Sequence, residues 1–264
     1  METSENFGKK INEIKNEWLY LVIPALAIAF AELQLYLGQQ IGSMIVHVVI
    51  LIGLSLSAMF IKNEEIQKIY QALILLPIMR LVNLSIPVFY ETTLYSLVFI
   101  YSLLAVPAII AATQQGFTRS QLGITFKKLW LYIPLSVLLG LLLAEGEYQI
   151  IRTNSLIPDL SIINLLTLSV IMIFLVGVVE EIIFRSVLQN RLQMVFGNFS
   201  GLIFTSILFG FMHSAYGNIS EILYATFVGF FIGFLFYRTR SLPLAALIHG
   251  FINIFLFGVI PLLI

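Results

Sequence analysis

The most constraining feature of this chain is a series of long apolar runs separated by short polar stretches. Runs of this length, without the alternation typical of barrel strands, predict helices, because a helix satisfies its backbone groups internally in lipid. The sequence therefore predicts an all-α, polytopic helical membrane protein with about 8–9 transmembrane helices. The predicted spans lie near 19–37, 41–61, 69–87, 94–112, 129–144, 160–184, 199–217, 221–237 and 242–264.

The low charge content excludes several classes of protein. Charged residues make up 11% of the chain and apolar residues 59%, whereas a soluble domain carries about 25% charged residues. This composition excludes an ordinary soluble enzyme, a disordered chain and a protein that binds nucleic acid through a basic surface. The chain has no cysteine, which excludes a thiol nucleophile and any sulfur-based zinc site. We therefore expect the chain to be embedded in a lipid bilayer.

The distribution of lysine and arginine along the chain predicts its orientation in the membrane. If the N-terminus is cytoplasmic, twelve of the 14 lysines and arginines fall on the cytoplasmic side, and only Arg152 lies outside. We therefore expect an integral, multi-pass plasma-membrane protein with a cytoplasmic N-terminus. Residues 1–18 are interpreted as a cytoplasmic segment, 19–159 as transmembrane helices without motifs, and 160–264 as the motif-bearing catalytic core of one membrane domain.

The sixth predicted span carries the richest group of charges at membrane depth, Glu180, Glu181 and Arg185. Glu181 and Arg185 are four residues apart on one helix face, so they can pair. Glu180 lies about 140° around the helix from Arg185 and has no such local partner. A salt-bridge network between helices explains the two glutamates equally well at this point.

Two further polar pairs lie on later spans. Phe209 and His213 are four residues apart on the seventh span, and His249 and Asn253 are four apart on the ninth. Counting along each helix from its cytoplasmic end places Glu180, His213, His249 and Asn253 within about 10 Å of membrane depth. We therefore expect these four residues to face one cavity, and we expect that cavity to open toward the cytoplasm.

These groups suit amide hydrolysis through a tetrahedral intermediate. Glu180 can take a proton from water, His213 can hold that water, and His249 and Asn253 can donate hydrogen bonds to an oxyanion. A metal is an open alternative, since Glu180, His213 and His249 form a plausible zinc ligand set. The HExxH pair is absent, and Asn253 suits an oxyanion donor better than a ligand, so no cofactor is favoured and zinc remains the alternative.

The three motifs, in this order on separate spans, resemble those of the CPBP (Abi) family, which includes the type II CAAX prenyl endopeptidases and bacteriocin-processing proteins. The resemblance covers about residues 160–257 and implies a CAAX-protease-like core with intramembrane endopeptidase activity, of a glutamate type or a metalloprotease type. It implies that Glu180 activates water together with His213, and that His249 and Asn253 form the oxyanion hole. Glu181 and Arg185 would support the site, and Phe209 completes the second motif.

The function hypothesis is therefore an endopeptidase that cleaves a membrane-anchored or hydrophobic peptide or protein substrate. One alternative is a proton-coupled membrane transporter that uses the same buried charges. Against it, the chain lacks the paired halves with matching broken helices that many transporters show. A second alternative is a non-catalytic member of the family that acts in immunity or as a scaffold. The resemblance does not fix the substrate.

Three polar residues in the first spans are given structural roles. His47 has no polar neighbour at helical spacing and is interpreted as a packing or helix-bonded histidine. Glu32 lies about 7 Å from the end of its span and is expected to reach the interface. Arg80 is expected to bond Asn83 or a neighbouring helix. The aromatic residues are interpreted mainly as membrane filler and interface anchors.

Overall fold

A computed structural model describes the backbone of residues 4–89 and 93–264, and the side chains of residues 18–85 and 93–264. The described residues form helices and loops with no strand among them, which confirms the all-α class. Their ten helices are α1 (Ser4–Tyr36), α2 (Gln40–Phe60), α3 (Glu64–Leu73), α4 (Leu75–Phe89), α5 (Leu94–Gln114), α6 (Leu129–Ile151), α7 (Ile162–Phe196), α8 (Asn198–Phe211), α9 (Ile219–Thr239) and α10 (Leu242–Leu263).

Eight helices in the described part of the chain are long and apolar enough to cross a membrane, namely all except α3 and α4. α8 reaches this length together with the turn that follows it, as the span Asn198–Tyr216. This confirms the predicted polytopic membrane protein. Most predicted spans agree with the helices to within a few residues. The exceptions are α1, which begins at Ser4, before its predicted start, and α6 and α7, which continue past their predicted ends to Ile151 and Phe196.

The third predicted span, 69–87, is divided between α3 and α4, which meet at Ile74. Pro77 explains the break, because proline has no N–H to donate to the carbonyl of Leu73, and its ring crowds that carbonyl. Neither half is long enough to cross a bilayer alone. The described residues therefore contain eight uninterrupted candidate spans, which agrees with the predicted 8–9, and the third predicted span is a helix that breaks at Ile74.

The loops that carry most cations meet at one end of the bundle, which we call the cation-rich end. There Arg191 on α7 bonds Glu65 on α3 at 2.5 Å and the side chain of Gln115 at 2.7 Å. The backbone N–H of Leu242 donates to the carbonyl of Gly123 at 2.8 Å. The grouping of these loops agrees with the prediction that most cations lie on one side of the membrane. The side chains of Lys9, Lys10 and Lys15 lie outside the described residues.

The loop between α6 and α7 lies at the other end, which we call the loop end. The N–H of Leu156 donates to the carbonyl of Phe257 near the end of α10, at 2.7 Å. The side chain of Asn218, at the start of α9, donates to the carbonyl of Ile150 at 3.4 Å. α7 runs between the two ends and packs against α5, α8 and α10, so its middle is surrounded by other helices.

Candidate active site

α7 carries the two motif glutamates between two π-helical stretches, Ile171–Gly177 and Ile182–Gln189. Such stretches are frequent at functional sites. Gly177 lets α10 approach α7 closely, since a Cβ at this position would lie 2.8 Å from a backbone carbonyl oxygen of α10. The middle of α7 therefore lies next to the third motif.

Glu181 joins the first motif to the third. Its Oε2 accepts a hydrogen bond from Arg185 Nε at 2.9 Å, and its Oε1 pairs with His249 Nδ1 at 2.8 Å. Glu181 and Arg185 are fully buried. The contact that the helical spacing predicted between Glu181 and Arg185 is therefore confirmed, and a histidine from another helix joins it. We call Glu181, Arg185 and His249 the motif network.

Glu180 has a different hydrogen-bond partner from Glu181. The Tyr101 hydroxyl on α5 donates to its Oε1, and its Oε2 lies 3.8 Å from His249 Nε2. Tyr101 was not identified from the sequence because it was interpreted as one more membrane aromatic. A signal was available, since a tyrosine hydroxyl inside an apolar span needs a hydrogen-bond partner when it is buried.

His213 lies where α8 has ended, with φ −98° and ψ 7°. Its Nδ1 is 3.0 Å from the carbonyl oxygen of Phe209. A carbonyl only accepts, so Nδ1 carries the hydrogen, and in the neutral ring Nε2 is left as an acceptor. The spacing of four residues in the second motif therefore fixes the tautomer of the histidine.

The Phe209 ring lies between the three motifs. Its centroid is 4.9 Å from that of His213 and 5.9 Å from that of His249, and Arg185 Cζ lies 5.1 Å above the ring. A Cβ added at Gly229 on α9 would come within 2.9 Å of the ring, so the glycine makes room for it.

One cavity of about 620 Å³ is lined by all four residues expected to share a site, Glu180, His213, His249 and Asn253. They come from α7, from the turn after α8 and from α10. The sequence prediction that these groups face one cavity is confirmed as geometry.

The cavity extends to the loop end of the bundle. Its lining includes Asn154 from the α6–α7 loop and Tyr216, and both residues are exposed. No residue of the cation-rich loops lines it within the described part of the chain. A cytoplasmic N-terminus and a cavity open to the cytoplasm therefore do not fit together. The cavity was expected to open at the same end as the cation-rich loops, and this expectation was wrong. Counting residues along each helix gave the depth of each side chain in the membrane but could not show which end of the cavity is open.

Residues 162–255 match a family model described as "Type II CAAX prenyl endopeptidase Rce1-like". This match confirms the predicted resemblance to the CAAX-protease family over this part of the chain. The matched residues run from the start of α7 to α10 and include every motif residue. No curated protein and no solved structure matches the chain.

The segment that matches the family model does not build the cavity alone. Helices that precede the match contribute Arg80 from α4, Tyr101 from α5 and Glu147 from α6 to its lining. The first spans, which carry no motif, therefore take part in the surroundings of the motif residues. The motifs alone could not indicate that these earlier helices line the cavity.

A second buried network joins α1, α2 and α4. Arg80 donates to Glu32 twice, from Nε at 2.8 Å and from Nη2 at 2.7 Å, and His47 Nε2 lies 3.1 Å from Glu32 Oε1. Glu32 and His47 are fully buried. The expectation that Glu32 reaches the interface was therefore wrong, as was the interpretation of His47 as a packing histidine. Arg80 bonds neighbouring helices, one of its two expected alternatives.

We call Glu32, His47 and Arg80 the N-terminal network. It touches the segment on both sides of the second-motif histidine. Arg80 Nη2 donates to the carbonyl of Met212 at 2.6 Å, and the Ser214 hydroxyl donates to Glu32 Oε2. Helical spacing could not reveal these contacts, because their partners lie far apart along the chain.

The metal alternative stays a prediction. Among the described residues, no three histidine, aspartate or glutamate side chains come close enough together to hold a metal ion. The Nδ1 atoms of His249 and His213 are bonded to Glu181 and to a carbonyl, so Nε2 is the free nitrogen of each ring. Histidines that bind zinc through Nε2 are bonded in the same way at Nδ1, so these contacts agree with either alternative.

Proposed function

We propose that the chain is an intramembrane endopeptidase that hydrolyses a peptide bond in a membrane-anchored or hydrophobic peptide. The observation that carries this proposal is the single cavity lined by Glu180, His213, His249 and Asn253. The match of residues 162–255 to the CAAX-protease family model supports the same reaction class. A cavity of about 620 Å³ also has room for several residues of an extended peptide.

In the proposed reaction, water enters between Glu180 and His213. Tyr101 occupies Glu180 Oε1 and leaves Oε2 free to accept a proton. His213 offers Nε2 as an acceptor, because its Nδ1–H is bonded to a carbonyl. Two acceptors orient the water and remove its proton as its oxygen attacks the peptide carbonyl. The proton then passes to the amine of the leaving peptide.

The attack leaves a negative oxygen that needs hydrogen-bond donors. The Asn253 amide supplies N–H groups from the cavity wall. His249 donates from Nε2 when its ring carries both protons, since Nδ1 is bonded to Glu181. Arg185 balances the charge of Glu181 and so keeps that carboxylate an acceptor for His249. These roles make Glu180, His213, His249 and Asn253 the proposed catalytic residues.

We extend the proposal to the membrane side. The cation distribution favours a cytoplasmic N-terminus, which puts the mouth of the cavity on the opposite face of the membrane, here taken to be the plasma membrane. The substrate is then a peptide that reaches the site from the non-cytoplasmic side or from within the bilayer.

Labelling of single cysteines tests this orientation, since the chain has no cysteine of its own. Asn154→Cys lies at the mouth, and Lys127→Cys lies at the cation-rich end, and both positions are exposed. A membrane-impermeant maleimide should label Asn154→Cys on intact cells and Lys127→Cys only after permeabilisation. The reverse pattern would contradict the proposed side of entry.

Comparison of protein N-termini in cells tests the proposed activity. Cells that express the wild type should contain new N-termini in membrane-associated proteins, and cells with Glu180→Gln should lack them. Glu145→Gln is the control, because this carboxylate is exposed and bonds only Gln149 on its own helix. If the set of N-termini does not depend on Glu180, the endopeptidase proposal fails.

A further inference from the structure

His213 has little support from its own helix. α8 ends at Phe211, and the next helical residues form a single 310 turn, Ser214–Tyr216. The carbonyl of Met212 lies past the last full turn, where carbonyls lose their intrahelical donors. The position of the His213 ring therefore depends on what holds the segment from Met212 to Ser214.

The N-terminal network holds this segment on both sides of the histidine. Arg80 supplies the missing donor to the Met212 carbonyl at 2.6 Å, and Glu32 accepts from the Ser214 hydroxyl. The same two residues bond each other through two hydrogen bonds. Two-point pairing of this kind fixes direction as well as distance.

Burial makes this arrangement rigid. Glu32 is fully buried, and Arg80 is 4% exposed. A buried ion pair has no water to replace a lost partner, so the pair keeps its geometry. His47 makes a fourth hydrogen bond with Glu32, at Oε1, and does not touch residues 212–214 in the described contacts.

We propose that Glu32 and Arg80 are positioning residues that hold His213 in place for catalysis, an inference that rests on the proposed function of His213. Both residues precede the segment that matches the CAAX-protease family. The first spans are then part of the catalytic apparatus and not only a membrane anchor.

Solid-state nuclear magnetic resonance of the histidine rings tests the positioning directly. The chain has three histidines, and single substitutions of His47 and His249 by glutamine assign them. In the wild type, His213 should show one form with the proton on Nδ1. In Arg80→Lys its signals should move or split between tautomers while those of His249 stay unchanged, because lysine lacks the two-point geometry of arginine.

Arg191→Lys is the matched control. Arg191 is as deeply buried and bonds Gln115 through two nitrogens, but it lies at the cation-rich end. It should leave the His213 signals unchanged. Unchanged His213 signals in folded Arg80→Lys, or equal changes in both arginine variants, would overturn the proposal.

Ser214→Ala keeps the test decisive if Arg80→Lys does not fold. It removes one bond to Glu32 and leaves the ion pair intact. His213 signals should shift less than in Arg80→Lys but in the same direction, and signals identical to the wild type would count against the proposal.

Kinetics provide the second measurement. A small displacement of a catalytic group costs about 100-fold in rate, so Arg80→Lys should lower kcat by about that factor with KM unchanged. An unchanged kcat with displaced His213 signals would contradict the catalytic part of the inference. If Glu180→Gln is fully active, the proposed function fails, while the ring signals still report whether Arg80 positions His213.

Discussion

The molecule contains two buried networks built from the same three residue types. In the motif network, Glu181 and Arg185 lie four residues apart on α7, and one histidine joins them from α10. In the N-terminal network, the glutamate, arginine and histidine come from three different helices. The first network could be partly predicted from spacing, and the second could not.

The two arginines also differ in how well they are bonded. Arg80 bonds both a carboxylate and a backbone carbonyl. The Nη1 and Nη2 atoms of Arg185 have no hydrogen-bond partner among the described residues, and its guanidinium lies against the Phe209 ring. Buried donors without partners are costly. The N-terminal network therefore contributes more to stability, and the motif network more to the orientation of His249.

The largest effect is expected for Glu32→Leu. It removes the acceptor of Arg80, His47 and Ser214 together and leaves a buried charge unpaired. The free energy of unfolding in detergent micelles should fall by about 3–5 kcal/mol. A loss below about 1 kcal/mol, the range of an exposed ion pair, would show that the network does not support the fold.

Glu181→Leu should cost less, about 3 kcal/mol, at the lower end of the range for buried pairs. Arg185 keeps its contact with the Phe209 ring, which offsets part of the loss. The same unfolding measurement orders the two variants. If Glu181→Leu is the more destabilising, the comparison of the two networks is wrong.

Tyr101→Phe should lower kcat about 10-fold, which corresponds to about 1.4 kcal/mol for one hydrogen bond to a charged group. It frees Glu180 Oε1 and lets the carboxylate rotate away from the water. Tyr95→Phe, at an exposed position of the same helix, is the control and should match the wild type. Equal rates for both variants would remove Tyr101 from the site.

The smallest effect is expected for His47→Gln. Glutamine retains a donor for Glu32, so the ion pair with Arg80 persists. Unfolding should change by about 0.5–1.5 kcal/mol, the net contribution of one hydrogen bond. A loss as large as that of Glu32→Leu would mean that His47 is an essential member of the network.

The features that could be predicted from sequence are those with local periodicity. Runs of apolar residues predicted the spans, and spacings of four residues placed the motif groups, so Glu180, His213, His249 and Asn253 do line one cavity. The break at Ile74 was missed because a proline predicts a kink without saying whether the helix continues.

Contacts between distant residues could not be predicted. Glu32 and Arg80 are 48 residues apart, and Tyr101 and Glu180 are 79 apart, so no helical repeat links them. The open end of the cavity was missed for the same reason. It depends on how the α6–α7 loop and the turn after α8 lie in three dimensions.

The central claim is that Glu180 activates the water that cleaves a peptide bond. Its most direct test is the cleavage rate of purified protein in lipid vesicles, on a peptide that spans a cut site found in cells. Glu180→Gln is expected to cleave at least about 100-fold more slowly than the wild type, while Glu145→Gln is expected to match it. A Glu180→Gln variant that folds and cleaves as fast as the wild type would contradict the account.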